Sequence, residues 1–238
     1  MIGYGKMGRA IEEIALSKGY TVPLKITADN LEDFNTENLK DIDVAIEFTT
    51  PNTAFDNLKR LFENKIPTVC GTTAWLDKKA DAEKICLDHG TAFLYASNFS
   101  VGVNLFFELN KQLAKLMTGY PEYTASLEEI HHTAKLDAPS GTAVTLAEGL
   151  IENHTAYTDH KLVEGADKLK TKSAILKISA KREDPAPGTH AISYDAEIDS
   201  IQIIHTAHSR KGFASGALLA AEFLFDKKGI FSMKDVLF

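Results

Sequence analysis

The first hundred residues alternate short, almost wholly apolar runs with helical stripes, and this alternation constrains the fold more than any other feature. Residues 44–48 (Val-Ala-Ile-Glu-Phe), 66–70 and 92–96 (Ala-Phe-Leu-Tyr-Ala) read as strands. Between them, Ala54, Leu58, Leu61 and Phe62, and then Ala82, Ile85 and Cys86, recur at helical spacing. Strands apolar on both faces must be covered on both, which predicts a parallel sheet in an α/β domain. Ahead of them stands Gly3-Tyr4-Gly5-Lys6-Met7-Gly8, opening a helix whose Met7, Ile11, Ile14 and Ala15 share a face before a stop at Gly19. Residues 22–26 read as a further strand, interrupted by Pro23.

Glycines at positions 3, 5 and 8 permit a tight turn and close approach of backbone N–H groups to a pyrophosphate at the helix start. The loop from Gly3 to Gly8, with Lys6 and Met7, is therefore expected to bind a dinucleotide. Lys6 reads either as a contact to a 2′-phosphate or as a solvated charge. The acidic residue expected about twenty positions on has Asp29 as its nearest candidate, and an exposed loop aspartate is an equal reading. Phe48-Thr49-Thr50-Pro51 and Gly71-Thr72-Thr73 each follow a strand, where loops of a parallel sheet line the ligand crevice. Only Met1-Ile2 precede the glycine loop, so the first strand is expected to be incomplete. An extended form carrying about four to six further apolar residues is expected to be the more stable one.

The pattern changes after Asn98. Residues 103–117 read as a helix apolar on more than one face, with Phe106, Phe107, Leu109, Leu113 and Leu116, and hence as one buried between layers. Residues 123–130 read as a strand, and Ala143, Leu146, Ala147, Leu150 and Ile151 as the next helical stripe. Residues 157–172 are polar and read as loop, whereas 174–180, 189–194 and 201–207 alternate partially, as strands do. Strands in succession predict a second, α+β domain with a mixed or antiparallel sheet. A last helix carries Phe213, Ala217, Ala220 and Leu224.

The chemistry concentrates in residues 129–142, Glu-Ile-His-His-Thr-Ala-Lys-Leu-Asp-Ala-Pro-Ser-Gly-Thr. A proton donor, a fixed cation and a helix N-terminus stand close together there, which suits a small, multiply anionic substrate. Adjacent residues of a strand point to opposite sides, so His131 and His132 do not readily share a metal. No further ligand stands at standard spacing, and no metal is expected. A histidine beside Lys135 and a bound anion is better suited to general acid work. Each histidine could alternatively be structural, and Ser140-Gly141-Thr142 could be a plain N-cap. A net charge of −7 without a basic stripe argues against nucleic acid. No apolar run approaches the ~18–20 residues of a membrane span, and no secretory signal is visible. Cys70 and Cys86 lie in apolar patterns and read as core residues in a reducing cytoplasm.

Assembled, these motifs resemble the dihydrodipicolinate reductase family of lysine biosynthesis over essentially the whole chain. The resemblance rests on Gly3-x-Gly5-Lys6-Met7-Gly8, Phe48-Thr49-x-Pro51, Gly71-Thr72-Thr73, residues 98–104 (Asn-Phe-Ser-Val-Gly-Val-Asn), Glu129-x-His131-His132 through Thr142, and Ser209-Arg210-x-x-Phe213-Ala214. It implies a Rossmann-type dinucleotide-binding domain over 1–102 and 212–238, and a substrate-binding and oligomerisation domain over 103–211. It implies hydride transfer from NADPH or NADH to 4-hydroxy-tetrahydrodipicolinate, in a cytoplasmic homotetramer formed through the substrate-domain sheet. His131 is then the proton donor. Lys135 and Ser140-Gly141-Thr142 hold the substrate's two carboxylates, with His132 beside them. Ser97, Asn98, Phe99, Arg210 and Phe213 join the cofactor contacts. Ala74 departs from the family by replacing the glycine that ends Gly-Thr-Thr-Gly. A non-catalytic nucleotide-binding relative, or another carboxylate-acting dehydrogenase such as an aspartate dehydrogenase, are the competing readings.

Overall fold

The fold was obtained as a computed structural model describing residues 1–164, 173–209 and 211–238. The chain divides into two compact units, Met1–Val101 with Lys211–Phe238, and Gly102–Arg210. Each break falls one residue before the expected 103–211 segment. In chain order the first unit contributes α1 (Lys6–Ser17), α2 (Thr36–Leu39), β1 (Ala45–Glu47), α3 (Pro51–Glu63), β2 (Thr68–Cys70), α4 (Lys79–Asp88) and β3 (Ala92–Tyr95). The second is built of α5 (Val101–Met117), β4 (Thr124–His131), α6 (Gly141–Asn153), β5 (Asp159–Leu162), β6 (Ile175–Arg182), β7 (Thr189–Asp195) and β8 (Ser200–Thr206). The chain then returns to the first unit through α7 (Lys211–Leu224), β9 (Gly229–Phe231) and α8 (Met233–Leu237).

Strands β1, β2, β3 and β9 lie side by side and all parallel. Successive side chains pass to opposite faces, and both faces are covered. Val69 and Leu94 pack with Ile11 of α1 and with Ala217 and Ala220 of α7. Their neighbours Cys70 and Phe93 pack with Leu58 and Phe62 of α3 and with Ala82 and Cys86 of α4. Both thiols are free and fully buried, and burial pushes that of Cys86 up to about 12 and that of Cys70 higher still. Neither is a nucleophile near neutral pH.

The glycine loop enters this sheet through a very short segment. Ile2 bridges Glu47 on one side and Ile26 on the other, both parallel. Its N–H donates to Ile46 O at 2.9 Å, and its carbonyl accepts from Phe48 N at 2.8 Å. The strand expected over 22–26 is reduced to that one paired residue. Pro23 has no N–H to give, and Ile26 donates to Met1 O at 2.9 Å.

Helix α7 is pressed against the turn after β3 at Gly216. A Cβ there would stand 1.7 Å from Phe99 O and 2.7 Å from its carbonyl carbon, so only glycine lets the two backbones touch. Gly216→Ala is expected to lower the unfolding free energy by roughly 1–3 kcal/mol or more, the usual cost of overpacking. Urea denaturation of the two chains measures it.

The second unit carries the mixed sheet β5-β6-β4-β7-β8, parallel from β5 to β4 and antiparallel from β4 to β8. Helices α5 and α6 cover one face, where Phe106, Ala114, Leu146 and Leu150 meet Leu127, Ile178 and Ile192. Two expectations are corrected here. Helix α5 is not buried between layers: Phe106 is buried, but Leu109 and Leu116 are 52% and 70% exposed. It lies on a single sheet face beside α6, and its outer side meets no layer of its own unit. Residues 159–162, expected as loop, form β5, an edge strand paired with β6. Its Asp-His-Lys-Leu sequence is mostly exposed and so carries no apolar alternation. Residues 165–172 of that expected loop lie outside the described residues.

Candidate active site

Two groups of functional side chains stand out, one in each unit. In the first, a cavity of about 420 Å³ is lined by Gly5, Lys6, Met7, Gly8, Phe48, Thr49, Pro51, Gly71, Thr72 and Thr73. Its size suits a ligand pocket. Gly3 holds φ +88°, and a Cβ on it would strike Phe48 O at 1.9 Å; a Cβ on Gly8 would stand 2.6 Å from Gly3 O. At Gly5, by contrast, a Cβ would meet nothing within 4 Å, so the backbone lies open to a ligand at the start of α1. The first turn of α1 carries no acidic side chain that would compensate its positive end. Three glycines around an open helix N-terminus fit a dinucleotide pyrophosphate. Below the cavity, Thr49 N donates to Thr72 Oγ1 at 2.7 Å, and the fully buried Glu47 accepts from Thr49 Oγ1.

The remaining residues expected around the cofactor are placed unevenly. Asp29 is exposed on the loop after Ile26 and does not line the cavity. Ser97 is exposed and Asn98 half-buried, its Oδ1 accepting from Ser100 N at 2.9 Å. Phe99 is buried, its ring 5.6 Å from that of Phe48, so it supports the pocket wall from within the core. Phe213 is half-buried on α7, and Arg210 lies outside the described residues. Ala74 sits at φ +61°, in the left-handed region where glycine is the unstrained choice. A glycine at this position, as in the Gly-Thr-Thr-Gly turn that the motif resembles, would adopt that conformation without strain.

The second group is assembled by sheet register. On β4 the residues facing the helices are Ala125 and Leu127, and the same face continues as Glu129 and His131. Glu129 stands opposite His190 of β7, and His131 beside Arg182 of β6. Three strands thereby converge on one buried carboxylate. Glu129 accepts the Ser140 N–H at 3.1 and 3.2 Å on its two oxygens and pairs with Arg182 Nη2 at 3.3 Å. Its Oε2 lies 3.5 Å from His131 Nδ1 and 3.6 Å from His190 Nε2. The two imidazoles meet edge to face, 5.0 Å apart.

The turn and the loop before it are held by the same cluster. Ser140 N-caps α6, its Oγ accepting from Ala143 N at 3.2 Å and lying 3.3 Å from His190 Nε2. No acidic side chain occupies the first turn of α6, and Gly141 opens it exposed, with Thr142 half-buried behind. Arg182 fastens the loop by donating to Lys135 O at 3.2 Å and Asp137 O at 2.6 Å. Lys135 Nζ donates to both Asp137 oxygens at 2.8 Å, a pair that holds the Asp137 carboxyl below its usual range. His132 is half-buried and, as strand alternation requires, is not part of the Glu129 cluster.

The charge states follow from these contacts. Burial pushes the Glu129 carboxyl up, but the His190 and Ser140 contacts and the charge on His131 outweigh it and hold the group down at about 2. Burial lowers His131 to about 4; Glu129 pulls it up, while His190, Lys135 and Arg182 push it down. Near neutral pH the site thus holds an ionised carboxylate beside an uncharged His131. Ligand-capable atoms of Glu129, His131 and His190 lie within 4.8 Å of one another. Arg182 and the Ser140 N–H already serve that carboxylate, however, and a guanidinium opposes a second cation. The trio reads as an electrostatic cluster around one carboxylate. Sequence reasoning quoted Glu129 in its motif without giving it a role, and passed over Arg182 and His190. Only Glu129 had a signal, its i, i+2 spacing from His131 on a strand.

Residues 1–99 match the family profile described as "Dihydrodipicolinate reductase, N-terminus", and residues 102–237 the one described as "Dihydrodipicolinate reductase, C-terminus". The 4-hydroxy-tetrahydrodipicolinate reductase of Christiangramia forsetii is 49% identical over 237 residues, covering 100% of this chain and 96% of its own. The enzyme of that name from Methanocaldococcus jannaschii is 32% identical over 100% of this chain and 80% of its own. The dipicolinate-bound dihydrodipicolinate reductase of a Paenisporosarcina species shares the fold, with a TM-score of 0.74 at 23% identity over 96% of this chain and 94% of that one.

Proposed function

The chain belongs to the dihydrodipicolinate reductase family, and we propose that it reduces 4-hydroxy-tetrahydrodipicolinate to tetrahydrodipicolinate with NADPH or NADH. The observation that carries this reading to the site is the buried cluster of Glu129, His131 and the Ser140 cap, with Lys135 held on the adjoining loop. The nicotinamide supplies the hydride, and the substrate's 4-hydroxyl leaves as water. The chain supplies binding, orientation and a proton. Gly3, Gly5 and Gly8 at the start of α1 receive the pyrophosphate, and the Phe48-Thr49 and Gly71-Thr72-Thr73 turns complete that pocket.

The substrate's carboxylates are received by Lys135 and by the N-terminus of α6 at Ser140-Gly141-Thr142, with His132 alongside. Lys135 is paired with Asp137, so a substrate carboxylate takes over a cation already fixed in place. Burial is what chiefly keeps His131 neutral, with His190, Lys135 and Arg182 adding to it, and the arriving negative charge opposes Lys135 and Arg182. Substrate binding accordingly favours the protonated form of His131, which donates its proton as the hydride arrives. Lys135→Ala is expected to raise KM by about 10- to 100-fold, since a hydrogen bond to a charged group contributes about 1.5–3 kcal/mol. Steady-state kinetics of the variant report this directly.

Among the described residues no helix is long and apolar enough to cross a membrane. A cytoplasmic homotetramer associating through the mixed sheet completes the reading, supported by Ile201 and Ile204 on β8, 39% and 56% exposed in the single chain. Following nicotinamide absorbance with NADPH and with NADH, in the presence and absence of substrate, tests the activity. Substrate-dependent oxidation is expected; none with either dinucleotide would favour the non-catalytic relative.

A further inference from the structure

We propose that Glu129 is a positioning residue for His131: its buried carboxylate orients the imidazole through Nδ1, leaves Nε2 to transfer the proton, and ties that ring to the Ser140 turn. This rests on the reading of His131 as the proton donor. The imidazole has two distinct edges. Nδ1 is buried without a hydrogen-bond partner at normal distance, and Glu129 Oε2 lies 3.5 Å from it. The Nε2 edge lies against Gly188, where a Cβ would approach Nε2 to 3.1 Å, so glycine leaves room on that side. An N–H on Nδ1 aimed at the carboxylate fixes which tautomer is present. The 3.5 Å separation is longer than a normal hydrogen bond, and catalytic contacts of this kind tighten in the substrate complex.

Glu129 cannot swing away from this task. The Ser140 N–H holds both of its oxygens, Arg182 holds Oε1, and the residue is fully buried. One carboxylate therefore couples the substrate-binding turn to the proton donor. The charged and titratable groups facing His131 are Glu129 on its own strand, His190 from β7, Arg182 from β6 and Lys135 from the following loop. All but Glu129 disfavour the imidazolium. Glu129 is the group that favours the imidazolium against burial and these neighbours.

Glu129→Gln keeps an acceptor for the Ser140 N–H and removes only the charge. It is expected to move the limb of the kcat–pH profile to lower pH by at least about one pH unit, which costs about tenfold in kcat at any fixed pH above the limb. KM should change by less than about threefold, because the Ser140 contact is preserved. The ¹⁵N shifts of the His131 ring in the unaltered chain near neutral pH should show the Nδ1–H tautomer, and Glu129→Gln should lose that preference. An Nε2–H tautomer in the unaltered chain overturns the proposal without any variant having to fold. So does a Glu129→Gln chain with unchanged limb and tautomer, and if His131→Gln has then lost turnover, the proton-donor reading survives. Full turnover in His131→Gln overturns both.

Discussion

His131→Gln is expected to lower kcat by roughly 10²–10⁴, the contribution of a well-placed general acid. Gln is close in volume to the imidazole and its side-chain NH₂ can still donate a hydrogen bond to Glu129, so the β4–β7 register should be kept. In the proposed reading the substrate is held by other groups, Lys135 and the α6 N-terminus, so KM should move far less than kcat. That split is the signature of an interaction made in the transition state rather than in binding. Steady-state kinetics, with circular dichroism to establish that the fold is retained, measure it. Turnover near that of the unaltered chain would remove His131 from the proton step.

The sequence showed His131 but not its surroundings. Apolar periodicity places Val69 and Leu94 on one sheet face and Cys70 and Phe93 on the other, because a parallel sheet covered on both sides leaves nothing to decide. Cross-strand register leaves no such trace. That His190 stands opposite Glu129, and Arg182 beside His131, depends on how β6 and β7 align with β4. A single sequence does not record that pairing. Edge strand β5 was missed for a related reason: its residues are mostly exposed, and pairing with β6 holds it without an apolar pattern. The three-residue β9 and the five-residue α8, closed by a capping box between Ser232 and Asp235, are too short for periodicity to register. The glycine loop erred the other way. Its Gly3, Gly5 and Gly8 could be read directly, while Asp29, counted off from them, lies outside the cavity they line. The strand over 22–26 that would carry the chain toward Asp29 shrinks to Ile26.

Gly8→Val is expected to weaken NADPH and NADH binding together, by roughly 10- to 100-fold. A Cβ at this buried position would stand 2.6 Å from Gly3 O, and the loop has little room to retreat, because Gly3 itself abuts Phe48 O. The valine methyls force Gly3 and Gly5 out of the geometry that presents N–H groups to the pyrophosphate. Overpacking of this kind costs about 1–3 kcal/mol, which the binding equilibrium reads as about one to two decades. Fluorescence titration of both dinucleotides measures the effect, and unchanged affinity for both would place the nucleotide elsewhere.

The central claim is that a hydride from the nicotinamide is delivered to 4-hydroxy-tetrahydrodipicolinate on this chain. The most direct measurement supplies NADPH or NADH carrying deuterium at the transferable position and follows the label by mass spectrometry. One deuterium in the tetrahydrodipicolinate product for each cofactor molecule oxidised is the predicted result. Cofactor oxidation that leaves the product unlabelled, or no substrate-dependent oxidation with either dinucleotide, would contradict it.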